Sequence, residues 1–73
     1  MLTQSAVENI TAELATPIET TPAYIMAHRV LAAYKRNNDA RYLASYESQM
    51  RILTEGRAYR AGLLADHYAA LAA

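Results

Sequence analysis

The architecture follows from residues 21–50, which read TPAYIMAHRVLAAYKRNNDARYLASYESQM. Thr21 followed by Pro22 is a typical helix start, because threonine caps the first turn and proline at the first helical position loses no hydrogen bond. The triplet Asn37–Asp39 is typical of a tight turn that leads into a new helix. A connection this short makes the flanking helices antiparallel. We therefore predict a helical hairpin, with helices over about residues 22–36 and 39–71.

The second predicted helix carries one apolar stripe, interrupted by two arginines. At about 100° per residue, Arg57 and Arg60 fall on this stripe. Either their aliphatic stems are buried while the guanidinium groups reach water, or they pair with acids on a partner or on the segment Glu8–Glu19. Gly56 lies inside the helix, where glycine costs ~1 kcal/mol, so a kink near it is an alternative to a straight helix. The stripe comprises Leu43, Tyr46, Met50, Leu53, Leu64 and Leu71.

Residues 1–21 are predicted to form an N-terminal arm with a short helix over residues 6–15. Ser5 and Glu8 have the spacing of a capping box, and apolar residues follow at helical spacing (Val7, Ile10 and Leu14). Pro17 ends the helix, because the residue before proline is disfavoured in the α region. With only three large anchors, the arm is expected to be less firmly ordered than the hairpin, and its removal to leave the rest folded.

The composition limits the class of protein. The chain has 73 residues and no cysteine, so it forms at most one small domain without disulfides. No stretch alternates apolar and polar residues as a strand would, which predicts an all-α fold. No segment approaches the ~20 apolar residues of a membrane span. Without the pattern of a signal peptide, the chain is expected to stay in the cytoplasm.

A core this small rarely provides more than ~3–5 kcal/mol of stability, so we expect self-association. Beyond about Leu53 the first hairpin helix is too short to cover the second, whose final part is apolar almost all round. That surface is expected to bind a second copy and a further protein, giving a helical homodimer. The predicted protein interface comprises Arg57, Tyr59, Arg60, Leu63, Leu64, Tyr68 and Leu71.

Other activities have less support in the residues. Neither His28 nor His67 lies in a metal-ligand spacing, and Asp66 points about 100° away from His67 on a helix. We therefore predict no enzyme, no cofactor and no metal. All seven Lys and Arg fall between Arg29 and Arg60, which favours nucleic-acid binding as an alternative. No continuous basic track follows from their spacing, however.

Two segments resemble known proteins. The run Leu53-Thr54-Glu55-Gly56-Arg57-Ala58-Tyr59-Arg60-Ala61-Gly62 resembles a stretch of small phage proteins of the head–tail joining type, in which a helix leads through a glycine into a β-hairpin. Here the residues from Leu63 onward are predicted to be helical, so that hairpin is missing. The end Leu71-Ala72-Ala73 resembles the ssrA degradation tag, which implies capture by a bacterial unfoldase.

Together these patterns favour a small non-enzymatic helical protein that binds another protein as an adaptor or inhibitor. The resemblances imply a bacterial or phage origin, and hence the cytoplasm of a bacterial cell. Two alternatives stay open at this point. One is a structural virion component such as a head–tail joining protein, and the other is a small dimeric nucleic-acid-binding protein.

Overall fold

The computed structural model describes residues 1–73, and all of its regular secondary structure is helical. Helix α1 spans Gln4–Ala15, a single 3-10 turn spans Ile18–Thr20, α2 spans Pro22–Asn37 and α3 spans Ala40–Ala72. There is no strand. The all-α prediction is therefore confirmed.

The long helix α3 runs along almost the whole length of the molecule. Its 33 residues extend about 50 Å, and the whole molecule measures 54 × 18 × 14 Å. Helix α2 packs on the first half of α3 and α1 packs on the second half, while α1 and α2 do not pack against each other. Both shorter helices run antiparallel to α3, so the fold is one long helix backed by two shorter ones in succession.

The turn between α2 and α3 has the predicted geometry. Asn38 is left-handed (φ 52°, ψ 35°), a conformation that asparagine tolerates better than most residues. Its amide donates to the Tyr34 carbonyl at 2.6 Å. The Asp39 carboxylate accepts from the Arg41 amide at 3.0 Å and so caps α3. Local side-chain chemistry therefore fixes this turn.

Helix α1 begins two residues earlier than the sequence predicts. Its N-cap is Thr3, whose hydroxyl accepts from the Ala6 amide at 3.1 Å. Ser5 is already inside the helix, so it does not form the predicted capping box with Glu8. The end is as predicted: Thr16 is extended, because Pro17 follows it.

Helix α3 is continuous through both of its glycines. Gly56 and Gly62 lie within the single helix Ala40–Ala72, and neither has a positive φ. Residues 53–62, the segment with the phage-protein resemblance, are therefore helical throughout. Packing along almost the whole helix outweighs the ~1 kcal/mol that each interior glycine costs.

One row of side chains on α3 faces the two shorter helices, and we call it the seam. Its members alternate by three and four residues, the spacing of a helix that packs along one side. All of them are half-buried. They are Leu43, Tyr46, Met50, Leu53, Arg57, Arg60, Leu64 and His67.

The core is thin, and α1 supplies most of its buried side chains. Only Val7, Ile10 and Ala27 are buried, and the first two belong to α1. Val7 and Ile10 therefore belong to the core, although the sequence assigns them to an arm outside the hairpin. The physical reason is the seam, because α1 buries its apolar face on the half of α3 that α2 does not reach. The expectation that the hairpin stays folded without residues 1–16 stays a prediction.

Truncation of a core residue in α1 should destabilise the whole fold. Ile10→Ala is expected to lower the free energy of unfolding by roughly 2–4 kcal/mol, since a buried isoleucine loses its packing and leaves a cavity. The matched control is Ile25→Ala, whose side chain is 44% exposed and should cost less than about 1 kcal/mol. Urea denaturation followed by circular dichroism measures both. Equal losses would contradict the placement of Ile10 in the core.

Candidate protein interface

Arg60 joins the middle of α3 to the end of α1. Its Nε and Nη2 donate to the two carboxylate oxygens of Glu13, with Nη2 and Oε2 2.7 Å apart. A two-point contact of this kind fixes orientation as well as distance. Of the alternatives for Arg60, the ion pair with the N-terminal segment is the one that forms.

A glycine makes room for this ion pair. A Cβ at Gly56 would lie 3.2 Å from both terminal guanidinium nitrogens of Arg60, whereas nothing lies within 4 Å of a Cβ at Gly62. Arg60 thus folds back along its own helix, over Gly56, to reach Glu13. The two glycines of α3 therefore differ in what surrounds them.

Arg57 binds the same end of α1. Its Nη2 donates to the Thr16 carbonyl at 2.9 Å. Carbonyls at the C-terminal end of a helix lack intrahelical partners, and a cation there is also favoured by the helix dipole. Arg57 and Arg60 therefore both bind groups of α1 and its C-terminal end in the same chain.

The contacts at the end of α1 change the acidity of Glu13. The hydrogen bonds from Arg60 hold the pKa of this carboxyl below its usual value of 4.5, and the charges of Arg60 and Arg57 act in the same direction. Partial desolvation raises the pKa and is second in size to the hydrogen bonds, so the net direction is downward. The docked form of α1 therefore favours ionised Glu13.

The structure divides the seven residues of the predicted interface into three groups. Arg57 and Arg60 bind α1, Leu63 and Leu64 are half-buried, and Tyr59, Tyr68 and Leu71 are exposed. The expectation that α3 lacks cover beyond Leu53 is wrong, because α1 packs there. The exposed members still present a large apolar surface to solvent.

An exposed apolar surface lies near the middle of α3, and we call it the Ile52–Tyr59 face. Ile52 is 69% exposed and Tyr59 68%. They are seven residues apart and therefore point to the same side of the helix. Tyr59 belongs to the predicted interface, whereas Ile52 does not.

A second surface lies near the end of α3, where a groove of about 410 Å³ is open to solvent. We call it the His67 groove. The Nδ1 atom of His67 is shielded from solvent and has no hydrogen-bond partner. Tyr68 and Leu71, both more than half exposed, belong to the same end of α3. The groove is lined by Met1, Leu2, Leu63, Asp66, His67 and Ala70.

The other histidine belongs to the packing of α2 on α3. His28 stacks on Tyr24 with ring centroids 3.9 Å apart and meets the edge of Tyr46 at 5.2 Å. Its Nδ1 lies 3.0 Å from the Tyr24 carbonyl. No three His, Asp or Glu side chains lie close enough together to hold a metal ion. None of the helices combines the length and the apolar character needed to cross a membrane.

Comparison of the chain with protein-family models, with curated proteins and with solved structures finds no match. The exposed apolar side chains of α3 are thus the features on which a functional conclusion depends.

The surroundings of the two glycines predict opposite behaviour on substitution. Gly62→Ala should raise the free energy of unfolding by up to about 1 kcal/mol, because alanine favours the helix and meets open space. Gly56→Ala should gain less or destabilise, because the new methyl group displaces the Arg60 guanidinium from Glu13. Thermal and urea denaturation of both variants measures the difference. An equal gain in both would show that the ion pair does not depend on Gly56.

The lowered pKa of Glu13 predicts a specific loss of stability in acid. A carboxyl whose pKa is depressed by folding stabilises the native state above its unfolded pKa, and this contribution is lost as the pH falls through the folded value. The wild type should therefore lose more stability than Glu13→Gln below about pH 4.5. Glu19→Gln, at an exposed acid without an ion pair, is the control and should resemble the wild type. Identical profiles for all three proteins would contradict the role of the ion pair.

Proposed function

We propose that the chain is a non-enzymatic helical protein that acts as an adaptor or inhibitor by binding another protein. The contact surface is the side of α3 near its end on which Tyr68 and Leu71 stand exposed. The observation that carries the proposal is the exposure of these two large side chains, 51% for Tyr68 and 60% for Leu71. They are three residues apart and therefore share one side of the helix.

The energetics of this surface favour a protein ligand. Burying one large apolar side chain is worth ~1.5–3 kcal/mol, and tyrosine is enriched among the side chains that dominate binding at interfaces. A partner that covers both Tyr68 and Leu71 gains from each of them.

The basic residues give less support to nucleic-acid binding. Arg41 pairs with Asp39, Arg60 pairs with Glu13, and Arg57 is held by the Thr16 carbonyl. A phosphate-binding surface needs free cations on one side of the molecule. Asp66, at the groove itself, would repel a phosphate. The resemblance of residues 53–62 to phage proteins supports a bacterial or phage setting, and the cytoplasm as the compartment.

A photo-reactive phenylalanine analogue at position 68 tests the proposal in the cells that encode the protein. Irradiation should attach the chain to a protein other than itself, and therefore give an adduct that is not twice the 8.1 kDa of the chain. Leu71→Asp should weaken this adduct, because it places a charge in the contact. The same analogue at Arg36, an exposed position at the opposite end, is the control. No adduct at position 68, or the same adducts at both positions, would refute the proposal, and adducts removed by nuclease would favour nucleic acid.

A further inference from the structure

We infer that the Ile52–Tyr59 face is covered by a second copy of the chain, with the two α3 helices antiparallel. This surface is separate from the one that Tyr68 and Leu71 form, although the His67 groove lies on its side of α3, since Leu63, Asp66 and Ala70 continue the row of Ile52 and Tyr59. Tyr59 and Tyr68 are nine residues apart, or two and a half helical turns, and so point to opposite sides of α3. Self-association through one side leaves the other side free for a different protein.

The area of the molecule supports a second copy. Its accessible surface is 5212 Å², whereas a compact monomer of 8.1 kDa exposes about 4500 Å². The excess of about 700 Å² is close to the ~800 Å² that each partner buries in a standard interface. The radius of gyration, 16.0 Å, likewise exceeds the ~11 Å of a compact domain of this length. Compared with a compact monomer, the single chain thus exposes an extra area about equal to one partner's share of a standard interface.

The shape of the face fits a copy of itself. Ile52, Gly56 and Tyr59 follow at intervals of four and three residues, so they share one side of α3. Ile52 and Tyr59 are the large side chains of this row, and the space over Gly56 between them is filled by the Arg60 guanidinium. Residue 56 is also the midpoint of α3 (Ala40–Ala72). Antiparallel helices that cross there overlap fully, and Ile52 lies opposite Tyr59 of the second copy.

The charges at the two ends of the molecule favour the antiparallel arrangement. Near the α2–α3 turn, Lys35, Arg36 and Arg41 oppose Asp39 alone, which leaves a net charge of 3 − 1 = +2. At the other end, residues 1–12 and 61–73 hold Glu8 and Asp66 and no Lys or Arg, a side-chain charge of −2 with histidine neutral. Antiparallel copies place each positive end beside a negative end, whereas parallel copies would place like charges together.

Sedimentation velocity at micromolar concentration tests the association. The wild type should sediment with twice the 8.1 kDa mass of one chain. Ile52→Asp and Tyr59→Asp should each raise the dissociation constant by at least about 30-fold, the lower bound for a dominant interface side chain. Ile25→Asp, a matched change at an exposed isoleucine of α2, should remain dimeric. A monomeric wild type, or folded aspartate variants that stay dimeric, would overturn the inference.

Disulfide trapping tests the orientation and does not depend on the aspartate variants. The chain has no cysteine, so Ile52→Cys and Tyr59→Cys each introduce one thiol. After equal amounts of the two variants are mixed and oxidised, the disulfide between positions 52 and 59 should make up clearly more than the half of all disulfides that random pairing would give. A statistical mixture, or a majority of symmetric disulfides, would overturn the antiparallel model. Neither result affects cross-linking from position 68, so failure here is distinct from failure of the proposed function.

Discussion

A single row of side chains along α3 must be kept out of water, and the rest of the molecule is arranged to do this. The seam from Leu43 to His67 covers 24 helical steps, or about 36 Å. Helix α2, with 16 residues, extends about 24 Å, and α1, with 12 residues, about 18 Å. Neither helix can cover the seam alone. The fold therefore needs both, and the break at Thr16–Thr21 allows one to follow the other along the same side of α3.

The two halves of the seam use different chemistry. Under α2 the seam residues are Leu43, Tyr46, Met50 and Leu53, and their packing is largely apolar. Under α1 three of the four seam residues are polar: Arg57, Arg60 and His67. Burial can hold α2 in several closely related positions, whereas a two-point ion pair permits few. The contacts of Arg60 with Glu13 and of Arg57 with Thr16 thus fix where α1 lies along α3.

Local signals explain why the hairpin could be predicted and the position of α1 could not. The cap at Thr21, the proline at position 22 and the left-handed Asn38 all act within a few residues, so the sequence alone reveals them. The predicted cap Ser5 and the observed cap Thr3 differ little in chemistry, so the residues alone do not decide between them.

The candidate interface could likewise be predicted only in part, because some of its contacts are distant in the chain. Arg57 and Arg60 looked like interruptions of an apolar stripe, because their partners lie 41 and 47 residues away in the chain. Tyr59, Tyr68 and Leu71 are exposed, and their role in an interface stays a prediction. The groove beside His67 could not be predicted, since it forms only where residues 1 and 2 meet α3.

The absence of packing between α1 and α2 has a consequence for how the molecule assembles and opens. The α2–α3 hairpin closes through a two-residue connection, whereas α1 must close loops of more than forty residues and is too short to be a stable helix in isolation. The hairpin therefore forms first, and α1 docks onto an existing helix. Opening of the native structure follows the reverse order, because α1 can detach as a unit while the hairpin persists. The amide protons of α1 then exchange with solvent by partial opening, whereas those of the hairpin exchange only by global unfolding.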